Sequence, residues 1–179
     1  QPQRHPDLRL RQLVCGVSQP WPPGCEPEGK NRPAASPMTD AVAEAPSLFE
    51  QALQRYQEGA PLPEVIDSFL TITQHEPRLS AGWTCLAWLQ LLDNQPQAAL
   101  RSARNAVKLN PQDPQARINL SLAMLETNAK GVREHIEWVM RVRAMAPDLA
   151  EELDGSIADG LARRPDWQAL QKVQAWLKG

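Results

Sequence analysis

The chain has 179 residues and a formal net charge of −2, with 42% hydrophobic and 22% charged residues. These values are typical of a soluble domain with an ordinary core, and the lack of a basic excess argues against a nucleic-acid-binding surface. The longest apolar run, around Leu86 to Leu92, is broken by Gln90 and is too short to span a bilayer.

Residues 1–37 differ in composition from the rest of the chain, since they hold eight of the 17 prolines and few large aliphatic residues. Such a segment cannot bury enough apolar surface to offset its chain entropy, so we expect a disordered tail. The sequence begins with Gln1 and its first methionine is Met38, immediately before the helical region. We interpret Met38 as the natural start. The alternatives are a plain linker and a Pro-rich segment that docks onto an aromatic-lined module.

From Ser47 to Pro147, apolar residues recur at three- and four-residue spacing in six stretches that are separated by short breaks. No alternating run predicts a strand, so the expected fold class is all-α. Pro77 and Pro111 lie 34 residues apart and close similar stretches, as proline stops a helix just ahead of it. A period of this size is typical of a helical repeat array, which presents a binding surface.

The central stretch, residues 80–113, carries large and small side chains in a fixed order: Trp83, Leu86, Ala87, Ala99, Ala106 and the closing Pro111. In these positions it resembles the tetratricopeptide repeat (TPR) family, although Gln90 and Ala103 stand where the family often has aromatic residues. Large residues fill the gap between helix pairs and small ones let the two helices of a pair approach. An α-solenoid of another type remains an alternative.

The resemblance implies a TPR-type α-solenoid of three helix-turn-helix repeats at 46–79, 80–113 and 114–147. The third repeat is two residues longer, and we place the extra residues in the turn near 129–131. Residues 148–179 contain two further amphipathic stretches, which we interpret as C-terminal capping helices with a polar outer face. Asp113 is placed to cap the helix that begins around Pro114, and we expect Asp166 to cap the last stretch.

Nothing in the sequence predicts catalysis. It contains no phosphate-binding loop and no HExxH, CxxC or GxSxG pattern, and its three histidines are isolated. The acidic set Glu151, Glu152, Asp154 and Asp159 could supply a carboxylate pair, but such a run is more typical of a solvated helix face. We therefore expect a non-enzymatic protein with no cofactor and no bound metal.

The three cysteines are Cys15, Cys25 and Cys85. Because their number is odd and Cys85 lies in an apolar helical pattern, we do not expect a disulfide framework, and a reducing, cytoplasmic location fits. A pair or a shared metal at Cys15 and Cys25 stays open as an alternative, although no further Cys or His cluster joins them.

The family resemblance implies a concave groove lined by the first helix of each pair. Carried over repeat by repeat, the candidate peptide-binding residues are Gln51, Gln54, Thr84, Cys85, Trp88, Leu92, Asn119 and Leu122. Of these, only Asn119 resembles the clamp that some members use for C-terminal carboxylates, and without cations such a clamp holds a carboxylate poorly. A groove with an apolar middle and amide side chains on its flanks suits an amphipathic helix or an extended apolar peptide. The alternative is that Trp88 packs against a neighbouring or capping helix.

These observations lead to two functional hypotheses. The first is a scaffold or adaptor that binds a partner polypeptide in the groove and assists complex assembly. The second is a repeat protein that self-associates through Trp138, Trp167 or Trp176. The partner itself is not named by the sequence, and we expect membrane association only through a partner.

Overall fold

The computed structural model describes residues 46–179, so the predictions for residues 1–37 and Met38 lie outside the described residues. The described part contains eight helices and no strand, which confirms the all-α prediction for this part of the chain. In chain order they are α1 (Leu48–Gln57), α2 (Leu62–His75), α3 (Ser80–Leu92), α4 (Pro96–Leu109), α5 (Pro114–Glu126), α6 (Val132–Met145), α7 (Pro147–Arg163) and α8 (Gln168–Lys178). Among these helices, none has both the length and the hydropathy to cross a bilayer.

The first helix of each pair ends in the same way. A residue in the left-handed region follows α1, α3 and α5, namely Gly59 (φ 79°), Asn94 (φ 56°) and Asn128 (φ 55°). The next N–H along the chain then donates to a carbonyl five residues back, for example from Gln95 to Gln90 at 2.7 Å. Glycine and asparagine are the residues that tolerate this backbone conformation at a helix end. The turn recurs roughly every 35 residues.

A second type of turn closes α2, α4, α6 and α7. Their C-terminal caps are all extended and precede a proline: Glu76, Asn110, Ala146 and Arg164. The N–H of each cap still bonds to the carbonyl four residues back, and the following proline prevents a further helical turn. Alternation of the two turns produces three similar helix pairs, α1–α2, α3–α4 and α5–α6, which lie within the predicted ranges of 46–79, 80–113 and 114–147. A TPR-type arrangement of these pairs stays a prediction.

Two local predictions about the turns agree with the structure. The α5–α6 loop runs from Thr127 to Gly131, two residues longer than the α3–α4 loop, which is where the extra residues were expected. Asp113 caps α5 as predicted, because its Oδ1 accepts from the N–H groups of Gln115 (2.9 Å) and Ala116 (3.2 Å).

The central helices are buried on nearly all sides. In α3 every residue except Ser80 and Trp83 is buried, because the helix packs against α2, α4 and α5. In α5 only Arg117, Leu125 and Glu126 are partly exposed, and this helix contacts α3, α4, α6 and α8. Helices that are apolar all round occupy the middle of a core.

The C-terminal helices cover one side of the array as well as its end. We call this side the inner face; it is the side of α1, α3 and α5 that carries Tyr56, Trp88 and Glu126. Near its end, α7 lies on α1 and α3, where Asp159 accepts from Tyr56 and Gly160 contacts Trp88. The chain then turns, and α8 packs on α5 and α6. The inner face is therefore covered by the chain itself.

Candidate functional site

The predicted groove residues fall into two groups. Six of them are buried: Thr84, Cys85, Trp88, Leu92, Asn119 and Leu122. Gln51 and Gln54 on α1 are exposed and donate to the Pro46 carbonyl (2.6 Å) and the Glu58 carboxylate (2.8 Å). An open groove is therefore absent at the six buried residues in this conformation. For Trp88 the alternative interpretation, packing against the C-terminal helices, describes what the structure contains.

Trp88 stands at the centre of the inner face. Its ring lies 5.6 Å from the ring of Trp167, centroid to centroid, at an interplanar angle of 48°. Its Nε1–H donates to the Tyr56 hydroxyl at 3.1 Å. On the side of α7, a Cβ added to Gly160 would lie 2.7 Å from Cη2 of Trp88, closer than real Cβ atoms come to a neighbour. The backbone of α7 thus approaches the indole at a point where only glycine fits.

A polar contact joins the first and seventh helices. The Tyr56 hydroxyl donates to Asp159, and Arg163 Nε donates to the same carboxylate at 3.0 Å. The Arg163 guanidinium also lies over the Tyr56 ring, 3.8 Å from its centroid. Burial, with the hydrogen bond to Asp159, raises the pKa of Tyr56, so the phenol remains a donor at neutral pH. We call Tyr56, Asp159 and Arg163 the tyrosine latch.

A second polar contact holds the α7–α8 turn. Glu126 Oε1 at the end of α5 accepts from Trp167 Nε1 at 2.6 Å and from Arg164 Nη1 at 3.3 Å. Arg164 Nη1 also donates to the Leu91 carbonyl at 3.0 Å, near the C-terminus of α3, where the helix dipole favours a cation. The second oxygen of Glu126 is buried and has no hydrogen-bond partner. We call Glu126, Arg164 and Trp167 the glutamate node.

Buried polar side chains connect α3 and α5. Asn119 Nδ2 donates to the Thr84 carbonyl at 3.0 Å, and Asn119 Oδ1 accepts from Gln115 Nε2 at 2.8 Å. Thr84 Oγ1 lies 3.2 Å from Asp113 Oδ2, and burial raises the pKa of Asp113 to about 6. The one clamp-like residue of the sequence therefore uses both ends of its amide inside the core.

Cys85, one of the predicted groove residues, is fully buried within α3. It therefore occupies a core position. The cytoplasmic location inferred from the cysteines stays a prediction.

The described surface includes two hollows that bear on the predicted sites. The larger, of about 490 Å³, lies where the α3–α4 turn, the end of α5 and the α7–α8 turn meet, and its lining includes Asn94, Pro96, Leu125, Gln168 and Lys172. The smaller, of about 230 Å³, lies between α1 and α2 and includes the predicted residue Gln51. We find no group of three or more metal-ligating side chains within residues 46–179.

The tryptophans considered for self-association are not equivalent. Trp167 is buried against Trp88 and is unavailable to a second copy. Trp138 is half-buried beneath the Arg117 guanidinium, 4.3 Å from its ring centroid, and Arg117 also contacts His135. Trp176 is the most exposed of the three, with Lys172 Nζ 5.0 Å from its ring.

Sequence reasoning missed the residues that cover the inner face. Gly160 gives a signal in retrospect, because a glycine in a helix is costly unless something approaches it closely. Asp159 and Arg163 gave no signal that they contact the inner face, since charged residues on a helix normally face solvent. No protein-family model matches the chain, and no curated protein is significantly similar to it. The TPR resemblance accordingly rests on the residues of the central repeat.

Proposed function

We propose that this chain is a non-enzymatic scaffold that binds a helix or peptide of a partner protein on its inner face and so assists the assembly of a complex. The observation that supports this most is that the inner face already holds a helical segment, the α7–α8 pair. The contact combines a tilted aromatic pair, Trp88 and Trp167, with polar bonds at two edges. A surface that holds one helix in this way has the chemistry to hold another.

The edges of this contact are weaker than its middle. The side chains of Asp159, Arg163 and Arg164 are 34%, 30% and 26% exposed, and exposed ion pairs contribute only about 0–1 kcal/mol each. The middle contains fully buried Trp167 and Leu170, whose burial is worth roughly 1.5–3 kcal/mol for each side chain. A partner therefore has to replace α7–α8 with comparable apolar anchors, which excludes a purely polar peptide.

Affinity capture with two variants tests this function. Gly160→Ala leaves every residue of the inner face unchanged. It loosens α7, because the added Cβ would collide with Trp88. We expect this variant to capture a partner severalfold more efficiently than the wild type, and a second substitution, Trp88→Ala, to abolish the gain. Trp138→Ala on α6 is the matched control and leaves the gain intact. Equal capture by the wild type and both variants, with helicity retained, would contradict the proposal.

A second candidate, self-association, is favoured by exposed apolar side chains. Met145 is 76% and Trp176 37% exposed, at the ends of α6 and α8. Light scattering across a concentration series distinguishes the two functions. A dimer that Trp176→Gln dissociates supports self-association, whereas a monomer at high concentration removes it.

A further inference from the structure

We propose that Arg117, His135 and Trp138 form an acid-sensitive switch, in which a proton taken up by His135 displaces Arg117 and uncovers the Trp138 indole. We call these three residues the histidine switch. It joins α5 to α6 in the third helix pair, and it does not depend on the binding function proposed for the inner face. Its consequence is that an aromatic side chain suited to a protein contact becomes accessible in acid.

Arg117 holds the switch closed with three contacts of its guanidinium group. Its Nε donates to the Pro111 carbonyl at 2.9 Å, its Nη1 lies 3.2 Å from His135 Nδ1, and its Cζ lies 4.3 Å from the centroid of the Trp138 ring. His135 and Trp138 are three residues apart on α6, so their side chains are neighbours on one side of the helix. The guanidinium therefore covers an indole that the rest of the fold leaves half-buried.

The contact between Arg117 and His135 fixes the protonation state of the imidazole. A guanidinium group has only donors, so His135 Nδ1 has to accept and cannot carry a proton. In this arrangement the ring is neutral and its hydrogen lies on Nε2. A second proton on the ring would place an N–H donor and a positive charge 3.2 Å from Arg117 Nη1. Both the hydrogen-bond geometry and the electrostatic repulsion would then oppose the contact.

The charges around His135 favour the neutral ring. Burial, followed by the Arg117 guanidinium, lowers the pKa of His135, whereas the exposed carboxylate of Glu134 on the same helix raises it to a smaller extent. Arg133 and Glu137 pair with each other at 2.6 Å. Helix α6 also packs against α7 and α8, and within residues 46–179 no charged group of these two helices acts on the pKa of His135. The switch is therefore closed at neutral pH and opens below the usual histidine pKa of about 6.5.

Arg117 is the member that moves when the ring takes up a proton. Ile136 and Val139 are buried in the core and hold α6 in place, so the imidazole cannot withdraw with its helix. The Arg117 side chain has several rotatable bonds and already reaches solvent, so it can swing outwards. Its departure gives up the cation–π contact and exposes one face of the Trp138 ring.

Fluorine NMR of the full chain labelled with 5-fluorotryptophan measures the exposure of Trp138. Its resonance is assigned with Trp138→Phe, and the difference in its chemical shift between H2O and D2O reports how far solvent reaches the ring. We expect this difference to rise about twofold between pH 7.5 and pH 5.0, with a midpoint below about 6.5. The same difference should stay unchanged for the buried Trp88 and Trp167.

Three variants separate His135 from other effects of acid. His135→Gln keeps an acceptor for Arg117 but takes up no proton, so Trp138 should stay covered at both pH values. His135→Lys carries a positive charge throughout, so Trp138 should be exposed at both. His75→Gln is the matched control, because it removes an exposed histidine at the end of α2 and should keep the wild-type response.

A Trp138 ring that is equally exposed at pH 7.5 and pH 5.0 in the wild type would overturn the switch. A response that survives in His135→Gln would do the same, because another group would then carry it. If the helical circular dichroism falls in acid and all the tryptophans gain solvent together, the chain unfolds as a whole and the switch is wrong.

Discussion

Asp113 provides the sharpest test of the buried polar contacts between α3 and α5. Its Oδ1 accepts from two backbone N–H groups, which favours the ionised form, whereas burial favours the neutral form and outweighs them. The Thr84 hydroxyl lies 3.1 Å from the Ser80 carbonyl and 3.2 Å from Asp113 Oδ2, and its single proton cannot serve both. A protonated Asp113 resolves this, because it donates to Thr84 while Thr84 donates to Ser80.

The expected effect on stability follows from the raised pKa. Burial raises the pKa of Asp113 from 3.8 to about 6, so the folded state binds this proton more tightly than the unfolded state. The contribution is fully present below pH 4 and is lost as the pH rises through 6. A difference of about two pKa units corresponds to about 3 kcal/mol of unfolding free energy. Asp113→Asn removes this pH-dependent loss of stability, because asparagine carries no ionisable proton. Asparagine also caps a helix about as well as aspartate, and its amide can donate to Thr84.

Urea denaturation at pH 4, 5, 6 and 7.5 measures the effect for the wild type and Asp113→Asn. We expect similar unfolding free energies near pH 4 and a more stable variant, by about 3 kcal/mol, at pH 7.5. Subtracting one curve from the other cancels the titration of groups common to both. A difference that stays constant between pH 4 and 7.5, or a carboxyl carbon that titrates below pH 4 by NMR, would show that the capping hydrogen bonds outweigh burial.

Three further predictions concern other parts of the fold. Asn128 has a left-handed φ of 55°, which glycine adopts without strain and valine does not. Asn128→Gly should therefore raise the unfolding free energy by about 0.5–1 kcal/mol, and Asn128→Val should lower it. A denaturation midpoint that moves the opposite way in either variant contradicts this. Tyr56→Phe removes one of the donors to Asp159, which keeps Arg163, and removes the acceptor of the Trp88 N–H. We expect the unfolding free energy to fall by about 1–3 kcal/mol and hydrogen exchange to become faster in α7 than in α3, and unchanged exchange refutes the latch. Burial and the nearby guanidinium lower the pKa of His135 below its usual 6.5, so its contribution to stability is present above pH 6.5 and is lost as the pH falls through the lowered pKa; an NMR titration above 6.5 would be contrary evidence.

Helix positions were predictable because their signals are local. Proline stops at 77, 111 and 147 act on the residue directly before them, and Asp113 caps the helix directly after it. Asp166 shows the limit of the same reasoning. It was expected to cap the last helix, yet Trp167 occupies the N-cap position and makes no side-chain cap, because its indole is used by Trp88 and Glu126. Tertiary contacts overrode the local preference there.

The covered inner face was predicted only as the alternative for Trp88, since it depends on contacts about 100 residues apart, such as that between Tyr56 and Asp159. One sequence signal nevertheless pointed to it. A helix that lines an open groove has a solvated side, yet the stretch from Cys85 to Leu92 is apolar all round except for Gln90, and Gln90 itself bonds to Ser102 in the core. Because helices that are apolar on every side lie inside a protein, the composition of α3 required a cover, and among the helices of residues 46–179 the α7–α8 pair fills that place.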